Sequence, residues 1–220
     1  MLPKVLLACG ILSSLVYVAM TVFIAMQWDD YNSASQTISE LSAINAPTRS
    51  VWVLTGAVYT LLVSAFGWGV WISAARRRAL RTAGALILAY GSLGLLWPFA
   101  PMHQREVLAV GGGTLSDTMH LVLASASVLL MLLAIAFAAL GFGTRFRWYS
   151  IASLAVLVVF GVLTFLDAPN LSANLPTPWI GVWERINIGT FLLWILVLAS
   201  TLLKARDAGR IARHREVLAA

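Results

Sequence analysis

Six long runs of apolar residues alternate with short polar segments along the chain. They lie at about residues 5–26, 51–75, 82–100, 118–140, 149–167 and 184–204. A helix needs about 20 residues, at roughly 1.5 Å each, to cross the hydrocarbon core of a bilayer, and the runs approach or exceed that length. Lys4 precedes the first run as in a secretion signal, but that run is longer than a signal core and no small-residue cleavage site follows it. The pattern therefore predicts six transmembrane helices.

The composition agrees with a membrane protein, and the placement of charge predicts its orientation. Of the 220 residues, 60% are hydrophobic and 11% are charged, which is far from the balance of a soluble globular domain. If the spans alternate in direction, twelve of the fifteen basic residues fall at one end: Lys4, Arg76, Arg77, Arg78, Arg81, Arg145, Arg147, Lys204, Arg206, Arg210, Arg213 and Arg215. The opposite end keeps Arg49, Arg105 and Arg185, and it holds seven of the nine acids: Asp29, Asp30, Glu40, Glu106, Asp117, Asp167 and Glu184.

Short loops rich in Lys and Arg face the cytoplasm according to the positive-inside rule. We therefore expect a multi-pass protein of the cell (inner) membrane with both termini, including a tail at residues 205–220, in the cytoplasm. Topology and contact with anionic headgroups then explain the formal charge of +6, so nucleic acid is not an expected partner. The expected partners are the lipid bilayer and, as candidates, other membrane subunits or a bound lipid.

No feature of the composition divides the chain into domains. It contains no linker rich in Gly, Pro or Ser, so we predict a single transmembrane domain over residues 1–220. Small residues recur at helix-packing spacing, as at Gly10 with Ser14 and Ala134 with Ala138, which indicates close contacts between helices in lipid. No internal repeat is evident, and this disfavours a transporter built from two inverted halves.

Two polar segments at the acidic end carry local signals. In WDDYNSASQTISELSAINAPTRS, Thr37 and Glu40 have the spacing of a capping box. Apolar residues share one helical face of the same segment: Ile38, Leu41 and Ile44. This predicts a short amphipathic helix on the outer face, which either covers helix ends or binds a ligand. The later segment DAPNLSANLPTP has three prolines and two asparagines, which predicts an extended and irregular loop.

Asp117 and His120 lie three residues apart where the fourth span begins, in the stretch DTMHLVLASASVLLML. Both fall in the first helical turn, where an aspartate can accept unpaired backbone N–H groups and interacts favourably with the helix dipole. A structural role therefore explains both residues. In the functional alternative, His120 is a general base or a metal ligand, and Asp117 orients it.

Other polar residues from distant parts of the chain are expected at the same end. Ionisable groups at membrane depth usually face a bundle interior or a watery cavity, which makes them candidates for function. Four of them would offer nitrogen and oxygen ligands to a zinc-like ion: His103, Asp117, His120 and Glu184. Their spacing matches no usual zinc pattern, and the chain has no HExxH motif. The sequence assigns neither a metal nor a cofactor.

The sixth span opens with PWIGVWERINIG, in which Glu184 and Arg185 are adjacent. Neighbouring side chains on a helix do not face each other, so these two are not expected to pair. We expect Arg185 to meet Asp117 or Glu40. Glu184 is expected to accept from His120 or from backbone N–H groups. The result would be either a structural latch between helix ends or part of a catalytic group.

Three motifs carry a family resemblance: YNSASQTISEL with the following Arg49, the segment from WPFAP to DTMH, and GVWERI. In these motifs and in the order of its spans, the chain resembles the bacterial and archaeal membrane proteins grouped as domain of unknown function 998. The resemblance covers nearly the whole chain. It implies a polytopic membrane protein without an assigned reaction, and it highlights Ser39, Glu40, Asp117, His120, Glu184 and Arg185.

The combined prediction is an all-α bundle of six transmembrane helices with a polar vestibule on the outer face, under the short amphipathic helix. The first functional hypothesis is a non-enzymatic subunit that binds a lipid or a partner in this vestibule. Its binding residues would be Ser39, Glu40, His103 and Arg185. The second is a lipid hydrolase or transferase, whose catalytic residues would be Asp117, His120 and Glu184. A small-solute transporter is the third, and the lack of charge at mid-depth of the spans disfavours it.

Overall fold

The computed structural model describes residues 2–219, and the side chains of residues 2–208. This part of the chain consists of helices and contains no strand, which confirms the all-α prediction. The α-helices are α1 (Leu2–Ala25), α2 (Arg49–Ser73), α3 (Arg78–Leu93), α4 (Arg105–Ala109), α5 (Leu115–Leu140), α6 (Thr144–Ser172) and α7 (Ile180–Ala219). Two 3₁₀ helices lie between them, at Ile38–Ser42 and Gly94–Phe99.

Six helical stretches in the described part are long and apolar enough to cross a membrane, as the sequence predicted. They are Leu2–Ala25, Arg49–Ser73, Arg78–Phe99, Leu115–Leu140, Thr144–Ser172 and Ile180–Ala208. Most of them extend beyond the predicted apolar runs, because backbone hydrogen bonding continues where the side chains become polar. The predicted tail at 205–220 begins within α7, and its side chains from residue 209 onward lie outside the described residues.

The third span is not a uniform α-helix. α3 ends at Leu93, and the 3₁₀ helix Gly94–Phe99 completes the crossing. Pro98 has no N–H to donate and disfavours α geometry at the residue before it, which accounts for the change of helix type. Gly94 also packs closely on α2, since a Cβ there would lie 2.6 Å from Oγ1 of Thr60.

The prediction of an irregular loop over residues 167–178 is wrong for its first half. α6 continues to Ser172 with Pro169 inside it, and only the following residues are irregular. A proline so close to a helix end removes one backbone hydrogen bond, while its own carbonyl still accepts from the N–H of Ala173 at 3.0 Å. Asn170 also donates to Asp167 at 2.7 Å, so the last turns are held by side chains as well.

The predicted amphipathic helix is present only as a single 3₁₀ turn, Ile38–Ser42. Its capping box is confirmed, because Oγ1 of Thr37 accepts from the N–H of Glu40 and the Glu40 carboxylate accepts from the N–H of Thr37. Ile38 and Leu41 are buried, but so is Glu40 between them. A five-residue turn with a buried carboxylate is a packed part of the structure rather than an amphipathic surface helix.

The six long helices form a closed ring in which each packs along its two neighbours. The order is α1, α2, α3, α5, α6 and α7, and α7 returns to α1. The tightly connected pairs α2/α3 and α5/α6 are neighbours, as predicted. Glycines bring α2 and α3 closest together: a Cβ at Gly67 would lie 2.4 Å from the backbone N of Leu88, and one at Gly84 would lie 2.5 Å from that of Trp71.

The interior of the ring is filled by large apolar and aromatic side chains. Phe66, Phe191 and Trp194 have no exposed surface, and Phe191 stacks on Trp194. Some polar groups in the interior are paired, as where the hydroxyls of Tyr59 and Tyr90 lie 2.9 Å apart, whereas the hydroxyls of Ser73 and Tyr149 are buried without a partner in the described part of the chain. Among the described residues, large apolar side chains therefore fill most of the space between the two ends of the ring.

Alternation of the helices gives the ring two different ends. At one end lie the segments 26–48, 94–114 and 173–179, which we call the loop cap. At the other lie the short connections 74–77 and 141–143, with the start of α1, which we call the basic end. Every candidate site residue lies in the loop cap or in the first two turns of α5 and α7 beside it, and the helices determine only which end each one occupies. The hydrogen bonds within the cap determine what these residues can do.

Candidate functional site

The loop cap is held together by backbone and side-chain bonds between its segments. The N–H of Ile44 donates to the carbonyl of Met102 at 2.8 Å, which joins the first segment to the second. Arg49, in the first turn of α2, reinforces this joint with Nη1 donating to the carbonyl of Ser42 at 2.6 Å and Nη2 to that of Pro98 at 3.1 Å. The arginine therefore donates hydrogen bonds to carbonyl groups near the ends of two 3₁₀ helices.

Glu40 and Arg105 form the central ion pair of the cap. Nε of Arg105 lies 2.6 Å from Oε1 of Glu40 and Nη2 lies 2.9 Å from Oε2, so the pair is bidentate. The Glu40 side chain has no exposed surface, and that of Arg105 is 11% exposed. Because both groups have left water, the pair depends on close geometry and on further hydrogen bonds to offset desolvation.

Those further bonds are present on both partners. Oε2 of Glu40 accepts from the N–H of Thr37 at 2.6 Å, and Arg105 donates to Oγ1 of Thr177 at 2.7 Å and to the carbonyl of Ser35 at 2.8 Å. The hydroxyl of Thr177 in turn donates to the carbonyl of Ser35 at 2.9 Å. One guanidinium thus joins all three segments of the loop cap.

Arg185 makes a second joint, between α7 and the first segment of the cap. Its Nη1 donates to the carbonyls of Ser33 at 2.7 Å, Gln36 at 3.1 Å and Gly181 at 3.0 Å. Its Nη2 donates to the hydroxyl of Tyr31 at 2.7 Å, and its guanidinium lies 5.7 Å from the centre of that ring. Burial raises the pKa of the Tyr31 phenol, so the hydroxyl stays protonated at neutral pH and can donate onward.

The first turn of α7 binds the first segment of the cap through its backbone. The N–H groups of Gly181 and Val182 both donate to the carbonyl of Ala34, at 2.9 and 3.3 Å. The carboxylate of Glu184 accepts from the N–H of Ile38, the residue before Ser39. First-turn N–H groups of a helix have no partner within the helix, and the first segment supplies them with an acceptor.

Asp117 joins the start of α5 to the second segment. Its Oδ1 accepts from the N–H of His103 at 2.7 Å, and its Oδ2 accepts from Nδ1 of His103 and from the N–H of Thr114, both at 2.8 Å. Thr114 and Asp117 form a capping box, in agreement with the structural role expected for an aspartate in this turn. The imidazole of His103 is thereby fixed in one orientation.

His120 is directed away from Asp117. It is buried, its Nδ1 donates to the carbonyl of Ala100 at 2.9 Å, and its ring packs edge-on against Trp97 with centroids 4.9 Å apart. Its place one turn into α5 satisfies the carbonyl that ends the 3₁₀ helix Gly94–Phe99. Asp117 therefore orients His103 rather than His120.

The family model for Protein of unknown function (DUF998) matches residues 11–201. The chain belongs to the DUF998 family. The predicted resemblance is thus confirmed, and the six apolar helices of this DUF998 protein fit an integral membrane protein. No curated protein and no solved structure matches the chain.

The partners of the candidate residues differ from several that the sequence suggested. Arg185 meets neither Asp117 nor Glu40, whereas Glu184 accepts from a backbone N–H group, which is one of the two partners expected for it. The zinc-like ligand set is not assembled either. Among the described residues, no group of three or more His, Cys, Asp and Glu side chains is arranged to hold a metal ion.

Sequence reasoning missed three residues of the cap of this DUF998 protein: Tyr31, Arg105 and Thr177. Arg105 carried a usable signal, because it is one of the few basic residues at the end where the acids collect, and Glu40 there needed a cation. Tyr31 lies inside the YNSASQTISEL motif, but nothing in the sequence indicates that its hydroxyl receives Arg185. Thr177 lies in an irregular segment whose path depends on the pairing of Arg105.

The chemical character of the cap follows from these bonds. Its buried ionisable side chains form hydrogen bonds with other groups of the protein itself. In this respect they have the structural role of joining the helix ends. One opening lies above Arg105, a depression of about 380 Å³ lined by Ser35, Arg105, Asn174, Leu175, Pro176, Thr177 and Pro178. A ligand at this end would meet a preformed surface with one edge of a guanidinium at its base.

Proposed function

We propose that this DUF998 protein is a non-enzymatic protein of the cell membrane that binds a lipid or a partner membrane subunit through its loop cap. One observation supports the proposal above all. The ionisable groups that would serve a reaction are used to hold the three segments in one arrangement, with Glu40 fully buried against Arg105. Rigid loops lose little entropy when they bind, so such a surface suits recognition better than chemistry.

The proposed contact surface is the depression above Arg105. Most of its exposed lining is apolar, with Leu175 exposed beside two prolines and Asn174, while the polar groups of Thr177 and Arg105 are more buried. This pattern of an apolar lining with a few fixed polar groups is typical of binding sites. The shallow shape fits a protruding side chain or a headgroup better than a whole lipid.

A crosslinking experiment tests this surface. A photoreactive amino acid at Leu175 should give a discrete adduct in native membranes, either a protein band or a lipid mass. The same residue at Val110, which is also exposed and also in the cap, should give little, because Val110 lies outside the depression. Equal yields at both positions, or none at either, would contradict a binding role for the depression.

We further propose that the loop cap faces the outside of the cell membrane and that both termini are cytoplasmic. The supporting observation is that the basic end carries the short Arg-rich connection at residues 74–78, as the positive-inside rule requires of cytoplasmic loops. An alkaline phosphatase fused within the cap after Gly111 should be active, and a fusion after Ala220 should be inactive. Green fluorescent protein should show the opposite pattern, and activity of phosphatase at Ala220 would reverse the orientation.

A lipid hydrolase or transferase remains the second candidate, because one observation favours it. Asp117 holds Nδ1 of His103, which is how a carboxylate orients an imidazole base in many catalytic sites. The base would then be His103 rather than His120. Turnover of phospholipid by the reconstituted protein that His103→Gln abolishes and His120→Gln preserves, with both variants folded, would favour this candidate over the binding role.

A further inference from the structure

The basic end contains arginines whose guanidinium groups contact aromatic rings at most and donate to no acceptor among the described residues. Within the described residues, the side chains of Arg76, Arg77, Arg78 and Arg81 form neither a salt bridge nor a hydrogen bond. The arginines at the loop-cap end of the ring differ completely, since Arg49, Arg105 and Arg185 each donate to several acceptors. Arginines that donate to nothing in the protein are available to an external acceptor.

These arginines surround a pocket. Arg76, Arg78 and Arg81, with Ala75, line a space of about 330 Å³ at the connection between α2 and α3. No acid occurs anywhere between Glu40 and Glu106, or between Asp117 and Asp167, so neither connection at this end supplies a counter-charge. Asp207, an acid that the described residues place at this end, is paired with Lys4. The arginines of the pocket thus have no acid partner among the described residues, and the pocket favours an anion as its ligand.

The walls of the pocket are held in place. The close approach at Gly67 and Gly84 fixes α2 against α3, and Ala75 turns the chain between them with a positive φ of 49°. The guanidinium of Arg81 lies 5.7 Å from the centre of the Trp71 ring, which positions it by a cation–π contact. A residue other than glycine in the left-handed region marks a connection whose shape is imposed by its surroundings.

The chemistry of the pocket selects phosphate. Several guanidinium groups offer paired donors that match phosphate oxygens, and they are more weakly hydrated than lysine. The first turn of α3 adds to this, because its N-cap residue Arg77 makes no side-chain cap and the leading N–H groups of the helix carry partial positive charge.

Neighbouring apolar residues distinguish a lipid from a free phosphate. Trp68 and Ile72 lie one turn apart on α2, and both are exposed. The ring of Trp68 packs edge-on at 5.1 Å against Trp71, which in turn contacts Arg81 of the pocket. Tryptophan at a helix end is typical of the headgroup level of a bilayer. We propose that the arginine pocket at the basic end binds the phosphate of an anionic phospholipid, with the acyl chains along Trp68 and Ile72. This site lies at the opposite end from the proposed partner surface and does not depend on it.

Native mass spectrometry of the full chain in detergent, titrated with phosphatidylglycerol or with phosphatidylcholine of the same chains, tests the pocket. The triple variant Arg76→Gln, Arg78→Gln and Arg81→Gln should lose about a hundredfold in affinity for phosphatidylglycerol, at roughly fivefold per arginine. The matched control removes the same charge from exposed arginines of the same end: Arg145→Gln, Arg147→Gln and Arg206→Gln. It should lose far less, and an equal loss in both triples would overturn a specific site.

Further measurements distinguish a lipid from a free phosphate ester as the ligand and provide a test if the triple variant does not fold. Glycerophosphoglycerol, the soluble headgroup, should compete only weakly, and competition equal to that of the lipid would show a free phosphate ester as the ligand and overturn the lipid proposal. Trp68→Ala should weaken lipid binding, whereas Trp148→Ala, also exposed at this end, should not. If the triple variant does not fold, the single Arg78→Gln variant tests the same site, and unchanged affinity there would count against it.

Discussion

Replacement of Glu40 by alanine is expected to destabilise the protein by about 3–5 kcal/mol, because it leaves the buried Arg105 without its carboxylate. The pair is bidentate and Glu40 is completely buried, so the variant leaves Nε and Nη2 of Arg105 without the carboxylate oxygens that they meet. The N–H of Thr37 would lose its acceptor as well. We expect the three segments of the loop cap to separate before the helix ring does.

The midpoint of thermal unfolding in one defined detergent measures the first effect, and the rate of proteolysis within residues 31–47 measures the second. Glu106→Ala is the matched control, because Glu106 is exposed next to Arg105 and has no partner among the described residues. It should change stability by no more than about 0.5 kcal/mol, as for other surface substitutions. Equal losses in the two variants would show that the pair does not hold the cap.

The double variant Glu40→Leu with Arg105→Met sharpens the interpretation. Apolar replacement of both members of a buried ion pair is often neutral or stabilising, whereas removal of one is costly. We therefore expect the double variant to regain much of the stability that Glu40→Ala loses. If it is instead as unstable as Glu40→Ala, the bonds to Thr177 and Ser35 are as important as the pair itself.

The spans could be predicted from the sequence because a bilayer requires a minimum length of apolar helix. That length can be counted along the chain without knowledge of the packing. The ends of the spans could not be predicted, since helix hydrogen bonding continues past the last apolar residue and even past Pro169 in α6. The change to a 3₁₀ helix at Gly94–Phe99 could not be predicted either, because a proline near the end of a span is compatible with an α-helix or a 3₁₀ helix.

The candidate site was predictable in its location and not in its pairing. Charge placement alone brought Glu40, Asp117 and Arg185 to one end of the ring. Which acid meets which base depends on the paths of the loops, and Glu40 meets Arg105 across 65 positions of sequence. Only capping boxes, which are local, could be read directly, as at Thr37 with Glu40.

The family motifs acquire a common physical meaning in the cap. The motif YNSASQTISEL supplies Tyr31 and the carbonyls that Arg185 holds, and GVWERI supplies Arg185 itself together with the glycine on which the segment rests. Two motifs separated by most of the chain are thus the two sides of one joint. A motif pair of this kind specifies the shape of the cap. A binding surface requires a defined shape over many residues, whereas a reactive side chain requires only its own immediate neighbours.

Substitution of Gly181 by valine should have the second largest effect, a loss of about 3 kcal/mol, at the upper end of the usual cost of overpacking. A Cβ at this position would lie 2.2 Å from the carbonyl oxygen of Gln36 and 2.5 Å from that of Ser33. These are the same oxygens that accept from Arg185, so the segment cannot move aside without giving up those bonds. The clash therefore breaks the joint rather than only straining it.

Gly189→Val is the matched control for this variant, because Gly189 lies on the same helix α7 and a Cβ there would meet nothing within 4 Å. Valine is no worse than glycine in a helix, so the control should be neutral or slightly stabilising, by a few tenths of a kcal/mol. Thermal unfolding in detergent compares the two variants directly, and crosslinking from Leu175 shows whether the depression survives. If both valines cost the same, propensity in α7 and not the joint with the YNSASQTISEL segment controls stability, and the rigid cap on which the binding role rests would lose its main support.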